Sequence, residues 1–256
     1  MSLNKIRIMK KIICTLLFST IGFAQSGLVK PEAIKNEPAP AFNIEEHYAN
    51  VYKIASSLGD IDQQIGALIN VYAASQKDES LLGLSELYIN KKNYVSALIC
   101  VNSVKDSTTS SVKNVKAWTY KLGGNIPKST KYFKELMATD KDKVNQNAFQ
   151  VAVNDFEGNL LADAKKIIAE YKAKTKSDDM VNTTDRVSFY NVKLTAAWEN
   201  LEGLILLAES SADANKMKEK KDKIVAYFDK AIALDPKFQL AIDNKTTFLK
   251  LFEPKK

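Results

Sequence analysis

A chain of 256 residues that is 45% hydrophobic is long enough to bury a core and too apolar to be disordered throughout. Three of its six prolines (Pro31, Pro38, Pro40) fall near the start, leaving a body almost free of helix breakers, which points to helices. Lys5, Arg7, Lys10 and Lys11 lie in a leader expected to be removed, which takes the formal charge from +7 to +3 and leaves Arg186 as the only arginine; nucleic-acid recognition leans on guanidinium forks, so nucleic acid is excluded as a partner and the lysines read as a solvated surface.

The leader comes first in chain order. Met9-Lys10-Lys11, the apolar run Ile12 to Ile21 and the exit Gly22-Phe23-Ala24 form the basic, apolar and small-residue parts of a secretory signal peptide. The run is too short to span a bilayer comfortably. Residues 1–24 are therefore expected to be cleaved after Ala24, giving a periplasmic or secreted protein with no transmembrane segment in the mature chain. Cys14 follows Ile13 near the beginning of the run, not a small residue at its end, so no lipid anchor is expected. Cys100 is then the only cysteine, which rules out an intramolecular disulfide. Its neighbours Leu98, Ile99 and Val101 read it as a buried small hydrophobe, with an intermolecular disulfide or reactive thiol as the alternative.

Residues 25–43 combine prolines with no apolar period and read as an extended tether. From Ile44 apolar residues recur at three and four, the helical period, in segments joined by short polar turns. Leu81, Leu84, Leu87 and Tyr88 share one face, and Tyr94, Ala97, Leu98, Val101 and Val104 another. Turn signals stand at Leu58-Gly59-Asp60, Asn90-Lys91-Lys92-Asn93, Leu122-Gly123-Gly124-Asn125 and Glu157-Gly158-Asn159, and Asp60 with Gln63 fits a capping box. Each turn joins two helices into a hairpin. The second helices are anchored at Ile65, Ala97, Ser129 and Ala164, spaced by 32, 32 and 35 residues, near the period of about 34 of one helix–turn–helix repeat.

Leu81, Leu84, Ser85, Tyr88, Tyr94 and Ala97 follow the large, large, small, aromatic, aromatic, small order that resembles a tetratricopeptide repeat. Further matches are Ala117, Tyr120, Gly124, Ser129, Phe133, Leu136; then Ala148, Val151, Ala152, Ala164, Ile168; and, closing, Tyr227, Phe228, Ala231, Pro236. The resemblance spans residues 44–252 and implies an all-α fold: a right-handed α-α superhelix of about five hairpins with a C-terminal capping helix around Phe238 to Phe252. Lys113 and Lys116 depart from the pattern at positions usually apolar. Phe189 to Ala208 is too long for a standard first helix, and Ser210 to Lys221 inserts a polar stretch that extends both helices or shifts the register.

Chemistry is sparse. His47 is the only histidine, which excludes multi-histidine metal sites, and Asp140-Lys141-Asp142-Lys143-Val144 lacks the ligand and glycine of a calcium loop. Glu199 and Glu202, beside Trp198, form the sharpest carboxylate pair, with glycan cleavage as its functional reading. No catalytic set accompanies them, so neither an enzyme nor a cofactor or metal is predicted.

In tetratricopeptide arrays the first helices line a concave groove that holds peptides. Carried through the matched repeats, the resemblance puts Leu82, Glu86 and Ile89, then Asn114, Trp118 and Lys121, then Phe149, Gln150, Val153 and Phe156 on that surface. Glu86, Asn114, Trp118, Lys121, Phe149, Gln150 and Phe156 are the candidate contacts, with Trp118, Phe149 and Phe156 as an aromatic path; inter-repeat packing is the other use such aromatics have. Trp118 stands where relatives that clamp a carboxylate place a polar or basic residue, so no carboxylate clamp is expected. The leading expectation is a scaffold or adaptor for a peptide or envelope protein. The alternatives are a glycan or small-ligand binder stacking on Trp118 and Trp198, and the helical glycan-cleaving enzyme.

Overall fold

The computed structural model describes residues 42–185 and 188–253. The expected signal peptide, and the tether up to residue 41, lie outside the described residues.

The first described helix, α1 (Ile44–Leu58), starts where Asn43 turns its side chain back to accept the Glu46 amide at 3.2 Å and ends at Gly59, whose φ of 69° needs no Cβ. The same capping device opens later helices. Asp60 accepts from Gln63 N–H at 3.0 Å at the head of α2 (Ile61–Ser75). After α3 (Asp78–Asn90), Asn93 caps α4 (Tyr94–Asn102); Thr109 caps α5 (Ser110–Leu122), and Asn125 caps α6 (Ile126–Thr139). A short 3-10 turn, Lys141–Lys143, covers the stretch that began like a calcium loop and leads into α7 (Val144–Glu157), which pairs with α8 (Leu161–Tyr171). The sequence turns thus place short polar acceptors where orphan amides need them.

The small residues do what their order implied. Ser85, Ala97, Ala117, Ser129, Ala152 and Ala164 are all fully buried, so neighbouring helices approach without side chains between them. Among the described residues four apolar clusters succeed one another instead of sharing one centre. Ile65, Leu84, Val101 and Val115 belong to one, Ala117, Phe133, Leu136 and Val151 to the next, and Phe149, Trp198, Ala231 and Phe238 to a third; Phe228 and Phe248 anchor the fourth. Lys116, at its apolar position, is 8% exposed and lies over the Tyr132 ring at 5.9 Å, while Lys113 reaches Glu135 at 3.9 Å; their stems are absorbed and their heads engaged.

Between the fourth and fifth hairpins the chain departs from the helical expectation. A 3-10 turn, Lys172–Lys174, leads to an antiparallel pair, β1 (Met180–Thr184) and β2 (Phe189–Lys193), with Val181 opposite Val192 and Asn182 opposite Asn191. Val181 and Val192 face the core while Met180, Asn182, Phe189 and Asn191 stay exposed, the period of two that defines a half-buried ribbon. The apparent overlong first helix is therefore a strand followed by α9 (Leu194–Ser210). The polar insert becomes a turn at 211–213, capped by Asp213, and the head of α10 (Ala214–Leu234), so both helices of the last hairpin are lengthened. They cross closely at Gly203, where a Cβ would stand 2.8 Å from Phe228 Cε1. Pro236 follows the end of α10, and α11 (Gln239–Lys250) lays Ala241 and Phe248 against the last hairpin as its cap.

Candidate functional site

The first helices α3, α5 and α7 and the outer face of the β-hairpin enclose two adjoining clefts of about 290 and 230 Å³ that share Asn114, Trp118 and Asn182. Glu86, Ile89 and Phe189 complete the first, and Gln146, Asn147, Gln150, Met180 and Asn191 line the second. Trp118 is half-buried at the centre, edge-on to Phe133 and Phe189, each at 5.8 Å between ring centroids.

A chain of polar contacts fixes this wall. The Lys121 ammonium lies 5.6 Å from the Trp118 ring centroid and donates to Gln150 Oε1 at 2.9 Å. Gln150 Nε2 donates to the main-chain oxygen of Asn182 at 2.6 Å, and Asn191 Nδ2 donates to Asn182 Oδ1 at 2.9 Å. Lys121 and Gln150 are 5% and 3% exposed, so they hold the hairpin to α5 and α7 and do not themselves face solvent. Asn114 and Glu86 remain exposed at the rim.

The expected aromatic path is not continuous. Phe149 is 3% exposed and packs edge-on to Trp198 at 5.0 Å within the core, and Phe156 is half-buried against the same cluster. Only Trp118 of the three faces the clefts. Phe189, absent from the expected set, stands next to it on β2. The available signal was the alternation of Val181 and Thr183, then of Tyr190 and Val192, across a polar turn, which is a strand pattern and not a helical one.

The other sequence candidates are structural. Trp198 has no exposed surface, and its indole N–H donates to Thr175 Oγ1 at 3.0 Å, so it cannot stack on a ligand. Glu199 is 2% exposed and takes the ammonium groups of Lys172 and Lys230, each at 2.7 Å; Lys172 also bridges to Glu202. The pair thus clamps the 3-10 turn to α9 and α10 and does not flank a substrate. His47 is exposed on α1, ringed by Phe42 and Tyr48. Among the described residues no three His, Cys, Asp or Glu side chains gather as a metal site, and no helix is long and apolar enough to cross a membrane.

Cys100 is a half-buried free thiol, and burial pushes its pKa above the ordinary cysteine value. Alkylation by iodoacetamide at pH 8 is expected to run about tenfold or more slower than that of free cysteine. A rate equal to the free thiol's contradicts this placement.

No protein-family model matches the sequence, and no curated protein matches it. Solved structures show the fold. A tetratricopeptide repeat protein from Parabacteroides merdae is 16% identical, with a TM-score of 0.53 over 80% of this chain and 71% of that one. The MamA protein is 15% identical, with a TM-score of 0.54 over 76% of this chain and 93% of its own. YrrB, described as a TPR protein with an unusual peptide-binding site, is 14% identical, with a TM-score of 0.50 over 78% of this chain and 90% of its own. The chain has the tetratricopeptide-like fold: an α-helical repeat superhelix that shows, among the described residues, five hairpins and a closing helix, with a β-hairpin between the fourth and fifth.

Proposed function

We propose that the protein is an exported scaffold or adaptor that holds an extended peptide segment, or an envelope protein presenting one, in the clefts around Trp118. The observation that carries this reading is the lining itself. Asn114, Gln146, Asn147, Asn182 and Asn191 surround one half-buried indole. Each side-chain amide offers a donor and an acceptor, the complement of the peptide group, whereas a rigid aromatic supplies contact area at small entropic cost. The fold shared with a protein described by its peptide-binding site supports the same use. Export rests on the leader at residues 1–24. The glycan alternative keeps Trp118 but loses the second stacking platform, since Trp198 is buried.

The test is selection of a random peptide library on the protein lacking its leader. Peptides enriched by the native protein are expected to bind Trp118→Ala at least about tenfold more weakly, the loss of a hot-spot side chain. Trp118 and Trp198 are the only tryptophans. With Trp198 enclosed, a change in indole emission on binding reports Trp118. Equal binding by both proteins, or binding to a glycan array with no peptide enriched, overturns the reading.

A further inference from the structure

The hairpin turns repeat one geometry four times, the first with Asp60 N–H donating to Ala55 O at 2.9 Å after Gly59 of positive φ. Asn93 N–H donates to Tyr88 O at 2.8 Å, Asn125 N–H to Tyr120 O at 2.8 Å, and Leu160 N–H to Asp155 O at 2.7 Å. Each donor follows a residue of positive φ: Lys92, Gly124 and Asn159. Ala55, Tyr88, Tyr120 and Asp155 therefore occupy the same structural position, the last three nine residues before the fully buried Ala97, Ser129 and Ala164. In the second and third hairpins a phenol ring fills that position: Tyr88 packs into the neighbouring apolar cluster and Tyr120 stacks on Tyr132 of α6 at 5.8 Å. In the fourth hairpin a carboxylate takes the place of the ring.

A cavity of about 450 Å³ lies there, between α6 and the turn from α7 to α8. Its walls are apolar, from Ile126, Pro127, Leu160 and Ile167; the buried Asn154 and Asp155 border it, and Thr130, Lys134, Asp163 and Lys166 also line it. Asn154 is wholly buried; its Nδ2 donates to Ser129 Oγ at 2.9 Å, which leaves Oδ1 without a partner. Asp155 is 7% exposed and makes no side-chain hydrogen bond or ion pair among the described residues. At the rim Lys166 is held by Asp163 at 2.9 Å, and Lys134 is exposed without an ion pair to Asp155. Burial lifts the Asp155 carboxyl above the ordinary aspartate range, with the charge of Lys134 opposing and that of Asp163 adding.

A buried carboxylate without an ion pair, beside apolar walls whose lining lysines are exposed and one of them already held by Asp163, suits a donor on an aliphatic stem. An unsatisfied buried acceptor is costly, and exchanging a tyrosine ring for an unpaired buried carboxylate forfeits packing as well. We propose that this cavity receives a lysine side chain of a polypeptide partner, its methylenes against Ile126, Pro127 and Ile167 and its ammonium donating to the Asp155 carboxylate beside the buried Asn154. A compact ammonium with three donors suits such a set of acceptors. The cavity shares no lining residue with the clefts around Trp118, so the two sites are tested independently.

The probe is N-acetyl-lysine methylamide, titrated into isotopically labelled protein and followed at the Asn154 side-chain amide and the Asp155 carboxyl carbon. Both signals are expected to move, and the Asp155 titration midpoint to fall as the ligand saturates. The neutral norleucine analogue, and the Asp155→Asn protein with the lysine probe, are each expected to bind at least about tenfold more weakly. Asp155→Tyr, which restores the ring, abolishes binding and raises the melting temperature. Stability supplies a second readout. A carboxyl whose folded pKa is raised destabilises the native state once pH rises through the unfolded value, so Asp155→Asn is more stable than the native protein at pH 7 and the gap closes below about pH 4. Unmoved signals, equal response to norleucine, or a gap that does not depend on pH overturns the proposal.

Discussion

Trp198→Ala is expected to lower stability by about 3–5 kcal/mol, the cost of emptying a fully buried aromatic site. Trp198 is the largest side chain with no exposed surface, and three parts of the molecule meet on it. Phe149 of α7 presents its edge at 5.0 Å, Thr175 after α8 accepts the indole N–H at 3.0 Å, and the surrounding cluster takes in Val181 and Val192 of the hairpin and Phe238 before α11. Alanine there removes the ring, takes the indole donor from Thr175 Oγ1, which keeps only its bond to Tyr171 O, and loosens the fourth hairpin, the β-ribbon and the fifth hairpin together. For a folded body of this size the midpoint of thermal unfolding drops by about 10 °C. Trp198→Phe, which keeps most of the volume and loses the donor, is expected to fall between the two. Thermal unfolding of the three proteins followed by circular dichroism decides it, and a loss below about 1 kcal/mol for alanine contradicts the packing described.

The helical hairpins were legible in the sequence because their signals are local. A turn, a short polar cap such as Asn93 or Asn125, and a small residue such as Ala97 or Ser129 four positions on are sufficient to set helix ends and close approach. The β-hairpin was not, because β1 and β2 are five residues each and β2 runs directly into the long apolar helix that begins at Leu194. Its hydrophobic period was masked by the stronger one that follows. The site suffered accordingly. The repeat register puts Trp118 on the face where the clefts lie, but Phe189, Asn182 and Asn191 reach it from an element inserted between repeats, which a repeat register cannot contain. Phe149 and Phe156 were placed on the open face by that register, yet the hairpin and α9 bring core onto their side of α7. Whether Glu199 is a reactive or a structural carboxylate depends on Lys172 and Lys230, 27 and 31 residues away, and sequence spacing carries no such information.

Gln150→Ala is expected to cost about 2–4 kcal/mol and to release the β-hairpin from the groove, since it removes two buried hydrogen bonds, one of them to a charged group. Gln150 joins the two halves of the site: its Oε1 receives the Lys121 ammonium at 2.9 Å, and its Nε2 holds the Asn182 carbonyl at 2.6 Å. Gln150→Glu separates the two roles. A carboxylate still accepts from Lys121 but faces the Asn182 carbonyl with no hydrogen to give, so the hairpin loses its tether while Lys121 keeps an acceptor. Both variants are expected to lose amide protection across β1 and β2 by about tenfold or more in hydrogen exchange, with α1 to α4 unaffected, because opening is local to the ribbon. Peptides selected on the native protein then bind both variants weakly although Trp118 is intact, since Phe189 and Asn182 no longer stand opposite it. Unchanged protection in the glutamate variant would show that Val181 and Val192, packed on α9, hold the ribbon without help. The hairpin would then be a fixed wall of the groove independent of Gln150, and a binding loss in that variant would have to come from the new charge alone.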